Sequence, residues 1–482
     1  MSPAEFEGQS QCFAVRRGEV NGKALGAQLY SPELRLFLKR LTRNHASIKP
    51  LRSYVEINPS IKISCLASDL PVSFIPMDAV EDGASGRIRF QSRPLSEVQK
   101  GYTPFAEGDI LWAKITPCMQ NGKSCIARGL QNGIGFGSTE FHVLRVLDSG
   151  EVLTEFVWEF LSQKSLRRVA TYAFTGSAGH QRVPESFLAE LPFPILPLDK
   201  QSELVDRMSV ARVEILEKRQ EANDLLASLD SYVLEALGLT LPTEKRGNVY
   251  GVRLHNARER FDPDYNSPHF RTLRNKIEHG KYPAQSINSL FDPIISGFAA
   301  GGNDQTDDPS LGIPHIRPLN ISNTAELHFS NTKMVPRGTV EPSDILKKGE
   351  ILFNNTNSMA WVGKTVVFDI NRECACSNHI TRLSLIDKRY DPYYFAGLFN
   401  ALRGLGFFGL LATNFNNQAG INVETLKEVY IPVPKPEVQR KIAEEIGRRR
   451  KNAYRLRDEA TRIWEEAERE FQEVLLGLET GE

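Results

Sequence analysis

Pro194-Ile195-Leu196-Pro197-Leu198-Asp199-Lys200-Gln201 and Pro432-Val433-Pro434-Lys435-Pro436-Glu437-Val438-Gln439 are two versions of one phrase. Each leads into a long helix-forming run with the same hydrophobic spacing. The offset between the two glutamines is 439 − 201 = 238, about half of the 482-residue chain. A unit written twice in one polypeptide gives pseudo-two-fold symmetry. Two similar heads at a fixed separation suit symmetric duplex DNA as a partner.

The repeat extends upstream. Phe13-Ala14-Val15-Arg16 answers Tyr250-Gly251-Val252-Arg253, and Tyr30-Ser31-Pro32 answers Asn266-Ser267-Pro268. Gly108-Asp109-Ile110-Leu111-Trp112 answers Gly349-Glu350-Ile351-Leu352-Phe353, and Ser177-Ala178-Gly179-His180-Gln181-Arg182-Val183 answers Gln418-Ala419-Gly420-Ile421-Asn422-Val423. The matching pieces read as frame, and the residues between them differ. A shared frame with divergent loops suits two heads that read different things.

After the phrase, positions 204, 208, 211, 215, 218, 222, 225, 229, 232 and 236 step by four and three. They are apolar or aromatic except Lys218. Adding 238 gives Ile442, Ile446, Arg449, Ala453, Leu456, Ala460, Ile463, Ala467, Glu470 and Val474, with Arg449 matching Lys218. A 3.5-residue period sustained this long is a coiled-coil signal. The plainer alternative is an amphipathic helix packed on its own head. Related by a two-fold, the two helices would lie antiparallel, and about 35 residues at 1.5 Å each make a rod of roughly 50 Å. That would hold the heads on the order of ten or more base pairs apart.

Within the heads, Ile110–Ala113, Glu140–Val146 and Thr365–Phe368 read as strands, and Leu153–Val169 and Pro392–Leu402 as helices. The expected fold is therefore α+β, with two β-rich heads in tandem, each followed by a long helix. The spans are 10–198 for the first head, 199–238 for its helix, 239–248 for a linker, 249–435 for the second head and 436–478 for the last helix.

Composition sets bounds. A hydrophobic fraction of 41% with 24% charged residues is that of a globular protein, and no apolar run approaches membrane-spanning length. The start, Met1-Ser2-Pro3-Ala4-Glu5, has no secretory pattern, so a cytoplasmic location without membrane attachment is expected. Six cysteines without CxxC spacing argue against a zinc ribbon, and Cys374 and Cys376 read as reduced structural thiols. With 59 basic and 59 acidic residues the chain does not coat nucleic acid by bulk charge; local basic loops or a partner would share the phosphate contacts.

No glycine-rich nucleotide turn, amino-methyltransferase tetrapeptide, P-loop or nucleophile elbow is present. Catalytic and metal-ligating residues are expected to be none. Chemistry of recognition sits instead in polar loops. The first follows a predicted strand and offers Lys114, Thr116, Gln120, Asn121 and Lys123; its counterpart offers Asn355, Asn357 and Lys364. The second offers Ser177, His180, Gln181 and Arg182; its counterpart offers Asn414, Asn416, Asn417 and Gln418. Asn and Gln can bond adenine bidentately, Arg and Lys guanine or phosphate. Ordinary turns are made of the same residue types, and recurrence in both halves is what favours contact with DNA. The tract Arg448-Arg449-Arg450-Lys451 reads as a solvated helix face.

These residues resemble a family. Gly108-Asp109-Ile110-Leu111 with Lys114-Ile115-Thr116-Pro117, then Gly137-Ser138-Thr139-Glu140-Phe141, Thr175-Gly176-Ser177, Gln181-Arg182-Val183 and the phrase ending at Gln201 look like the specificity subunit of type I restriction–modification systems. The likeness covers almost the whole chain. It is looser in the second half, where Asn354-Asn355-Thr356 stands in place of Lys114-Ile115-Thr116. It implies two target-recognition domains reading a bipartite sequence in double-stranded DNA, with the paired helices setting the gap. It also implies docking of modification subunits that carry N6-adenine methyltransferase chemistry and S-adenosylmethionine, and room for a restriction translocase. This chain itself would hold no cofactor. The alternatives are the same role in another methylation-linked phage-defence system, or a protein–protein scaffold without DNA specificity.

Overall fold

The computed structural model describes residues 31–43, 48–148, 150–177, 179–239, 249–253, 260–306, 308, 310, 312–415 and 418–477. The linker expected at 239–248 and the match at 13–16 lie almost wholly outside them. The chain divides into two compact units, Met1–Arg219 with Arg457–Glu482, and Gln220–Leu456. Helix and sheet are mixed in each.

In the first unit a four-stranded antiparallel sheet has the order Val55–Ile57, Phe141–Val146, Ile110–Ala113, Ser124–Ile126. The run Ile110-Leu111-Trp112-Ala113 is buried on both faces because alternate side chains serve different cores. Ile110 and Trp112 join Phe156, Phe160 and Phe193. Leu111 and Ala113 join Phe105, Phe141 and Val143. A second sheet runs Gln91–Pro94, Pro71–Ile75, Ile134–Gly137, Thr103–Ala106, with its middle pair parallel.

The second unit repeats this plan. Its antiparallel sheet has the order Phe291–Ser296, Ile380–Leu385, Ile351–Asn354, Thr365–Val367. Ile351 and Phe353 face the main core, while Leu352 faces a smaller one with Val366 and Ile380. The second sheet keeps three of the strands, Lys333–Pro336, Gly312–Ile316 and Ala375–Cys376. Cys374 and Cys376 are buried free thiols, and burial pushes them up to about 11 and about 12.

The Gly-acid-Ile-Leu-aromatic motif proves to be frame in both units. Gly108 and Gly349 turn the chain with φ of 86° and 90°, which favours glycine. The acid that follows is buried in an ion pair, Asp109 with Arg145 and Glu350 with Arg382. Gln201 and Gln439 are frame too, at 0% exposure each. Gln201 donates to Leu196 O and accepts from Leu153 N; Gln439 donates to Pro434 O and accepts from Asp391 N. Each glutamine thus bolts the start of a long helix to its head.

Two details depart from the sequence reading. The helix expected over 153–169 is two helices, Thr154–Ser162 and Lys164–Thr171, because Gln163 takes an extended backbone between them. The long helices span Leu198–Leu237 and Pro436–Leu475. In the first unit Leu204, Met208, Ala211 and Ile215 are buried as the seam predicts. Toward the end of the second helix the buried positions are Trp464, Glu468, Phe471 and Leu475, and Glu470 is only half-buried. A straight helix drifts against a 3.5-residue period, so late positions move off the stripe.

Within the first unit, Arg207 bonds Glu470 at 3.2 Å, Arg212 lies 5.5 Å over the Trp464 ring, and Lys218 bonds Glu459 at 3.2 Å. Rising numbers meet falling numbers, so the two helix segments of this unit run antiparallel. Within the second unit Arg449 donates to Ser228 Oγ at 2.8 Å and stacks 4.5 Å over Tyr232. The Arg448–Lys451 tract is therefore not uniformly solvated: Arg449 and Arg450 are half-buried, and Arg450 donates to Thr324 O. Among the described residues no helix is long and apolar enough to cross a membrane.

Candidate nucleic-acid interface

In the first unit the two polar loops are joined into one surface. Thr116 N donates to Gln181 O, Val183 N to Lys114 O, and Thr175 and Arg182 exchange backbone hydrogen bonds at 2.9 Å. Arg182 splints the second loop. Its guanidinium donates twice to Glu140, at 2.8 and 2.7 Å, and once to His180 O. That hydrogen-bonded arginine holds the Glu140 carboxyl below its ordinary value. Thr116 Oγ1 meets Gln120 Oε1. Gln120, Asn121, Ser177 and His180 are exposed, and Lys114, Thr116, Gln181 and Arg182 half-buried.

Lys123 does not join this surface. Its ammonium donates to Met77 O at 3.1 Å and Val80 O at 2.7 Å, so it ties the loop end to its own unit. Gly122 before it has φ of 78°.

The second unit builds the corresponding surface with more regular strand. Thr356–Asn357 pairs with Gln418–Gly420, which pairs with Thr413–Phe415, so segments read as loops form a small sheet. In the first unit the same pairing survives as single bridges, Ile115 with Arg182 and Thr175 with Arg182. Asn414 and Gln418 are exposed. Asn357 is half-buried and accepts from Ser358 N at 2.8 Å. Asn416 and Asn417 lie outside the described residues.

Two expected contact residues here face inward. Asn355 is 5% exposed and donates to Thr381 Oγ1 and Asn378 O. Lys364 is 6% exposed, with its ammonium 5.3 Å over the Trp361 ring. Burial, aided by the charge of Arg403, pulls Lys364 below its ordinary value. The Gly-Lys ends therefore brace both loops from behind, and the outward donors are the polar residues between.

Sequence reasoning missed the arginines beneath these loops. Arg167, on the helix Lys164–Thr171, donates to Gln120 O at 2.7 Å. Arg403, on the helix Pro392–Gly404, donates to Ala360 O at 3.3 Å and lies 5.1 Å over Trp361. Their offset, 403 − 167 = 236, falls in the range of the other repeats, and that signal was present in the chain. Among the described residues no cluster of His, Cys, Asp and Glu is arranged to hold a metal.

A domain family described as "Type I restriction modification DNA specificity domain" matches residues 311–448. The chain is 35% identical over 214 residues to the type I restriction enzyme EcoAI specificity subunit of Escherichia coli, covering 44% of this chain and 35% of that protein. It is 27% identical over 179 residues to the putative type I restriction enzyme MjaX specificity subunit of Methanocaldococcus jannaschii, covering 35% of this chain and 40% of that one. These alignments thus span little more than a third of each relative's own length. A chain from a solved structure on complex assembly and conformational transition of the type I R-M system shares the fold. Its TM-score is 0.51 at 14% identity, with 89% of this chain and 96% of that one covered. The chain is thus similar to type I restriction–modification specificity subunits over a matched domain and two aligned stretches, and it shares a fold with a chain of a type I R-M system.

Proposed function

We propose that this chain is the DNA-reading subunit of a type I restriction–modification complex, with each unit's joined polar surface reading one half of a split target. The observation that carries this is the recurrence of the surface. Two segments far apart in sequence are hydrogen-bonded into one outward patch in each unit, at the same place on the same frame. Frame residues are alike in the two units, and the outward residues differ, so the two half-sites differ. The contact set in this reading is Lys114, Thr116, Gln120, Asn121, Ser177, His180, Gln181 and Arg182 in the first unit. In the second it is Asn357, Asn414, Asn416, Asn417 and Gln418.

In the same reading the two 40-residue helices pair as an antiparallel coiled coil and set the gap between half-sites. The contacts of Arg207, Arg212 and Lys218 with the second helix support it. The chain does no chemistry itself. Partner modification subunits bind S-adenosylmethionine and methylate an adenine at N6, which must leave the base stack to be reached. A restriction translocase acts from the same assembly.

Methylome sequencing of cells carrying this gene beside its methyltransferase gene, against a deletion of this gene alone, tests the reading. A split adenine-methylated motif that disappears on deletion is the expected result. Unchanged methylation with an active methyltransferase would point instead to a scaffold role.

A further inference from the structure

Beneath each polar surface lies an arginine that holds the loop by its backbone. Arg167 donates from Nη1 to Gln120 O at 2.7 Å and from Nε to Ser162 O at 3.2 Å. It fills the space a side chain at Gly122 would need. Arg403 donates from Nη1 to Ala360 O. The accepted carbonyls are offset by 360 − 120 = 240 and the arginines by 236, so the tie is part of the duplication.

The helix that carries each arginine also meets a carboxylate on a long helix, and the assignment is crossed. Arg403 lies 4.0 Å from Asp230, on the helix of the first repeat. Glu468, on the helix of the second repeat, bonds Lys164 of the short helix that carries Arg167 at 3.1 Å. The offset between Asp230 and Glu468 is 468 − 230 = 238, the same as that between Gln201 and Gln439. In the first unit, Asn121 and Arg167 line one open cleft of about 500 Å³ with Thr461, Trp464 and Glu465 of that second helix.

We propose that Arg167 and Arg403 are positioning residues of the two recognition loops, each tying its loop to a helix that is anchored on the long helix of the other repeat, by Lys164–Glu468 in the first unit and by Arg403–Asp230 in the second. Each half-site is then tuned by a residue from the opposite half of the sequence. This rests on the reading that the loops meet DNA. A guanidinium suits the role, because its planar fork can hold two groups at once, as Arg167 holds Ser162 O and Gln120 O, which fixes the loop's direction as well as its distance. A lysine keeps the charge but loses the fork.

The experiment uses the full chain in its methyltransferase complex. Methylation rates are measured on duplexes carrying the motif and on duplexes with one base changed in either half-site. Arg403→Met and Asp230→Asn should lower discrimination about tenfold at the half-site of the second unit and leave the first unchanged. Arg167→Met and Glu468→Gln should do the reverse. Arg→Lys should restore part of it. Equal loss at both half-sites, or lower complex yield with discrimination intact, would show a merely structural role and overturn the proposal. Should the Met variants not fold, the Lys, Asn and Gln variants decide in the same way. Gln120→Ala, Asn121→Ala and Asn357→Ala serve as controls. If these leave discrimination intact, the loops do not read DNA and both readings fall; if they alter it while the arginine and carboxylate variants do not, only the positioning role falls.

Discussion

The Arg382 and Glu350 side chains are 3% and 5% exposed and share two hydrogen bonds, one of 2.8 Å. The pair's net contribution over an apolar pair is small, because both charges lose their water. Removing one partner is different, since a charge is left buried alone. Arg382→Leu should destabilise the second unit by about 3–5 kcal/mol, and Glu350→Leu beside it should recover much of that. Urea unfolding of the single and double variants checks this, and a double variant no better than the single would refute it. His142 and His315 are also buried, and burial holds both below their ordinary 6.5. His142 Nε2 lies 2.9 Å from Val183 O, beside the polar loops. A histidine whose folded value is depressed favours the neutral form. Its stabilisation is therefore complete above about pH 6.5 and is lost as pH falls below it. The slope is at most about 1.4 kcal/mol per pH unit for each histidine. Unfolding measured between pH 7.5 and 5.5 should show the loss, and His142→Gln should flatten it for the first unit.

At the scale of elements, two features act as rigid parts. Gln201 and Gln439 bolt each long helix to its head, so helix direction and head direction are coupled. The small three-stranded sheet 356–357, 418–420 and 413–415 is the tight version of a surface that the first unit makes with isolated bridges. If the helices set the spacing of half-sites, seven residues inserted into Leu198–Leu237, with seven into Pro436–Leu475 to keep the pairing, add about 10 Å. The methylated motif should then keep both half-sites and gain roughly three base pairs of gap. Motif sequencing of the inserted variant reads this directly; an unaltered gap would remove the ruler role.

The whole molecule is a duplication, and its behaviour should be modular. Replacing residues 10–198 with the corresponding segment of a related specificity subunit should change one half of the methylated motif and preserve the other. Change in both halves, or in neither, would contradict independent reading by the two units. The crossed ties through Asp230 and Glu468 set one condition on such exchanges: a head transplanted without a compatible carboxylate on the opposite helix should read its half-site less sharply.

The duplication, the frame motifs and the two helices were legible from sequence, because each is a local or periodic property. A glycine at positive φ, an apolar run and a 3.5-residue period leave their marks in order along the chain. Which polar residues face outward was not legible. Lys123, Lys364 and Asn355 are of the same residue types as a DNA contact, yet inward carbonyls, an aromatic ring and buried hydroxyls take their donors. Nothing local in the chain marks Arg167 or Arg403; packing puts a loop carbonyl within reach of each. A side chain's partner is set by segments far away in sequence, and only the tertiary structure decides which donors remain for a ligand.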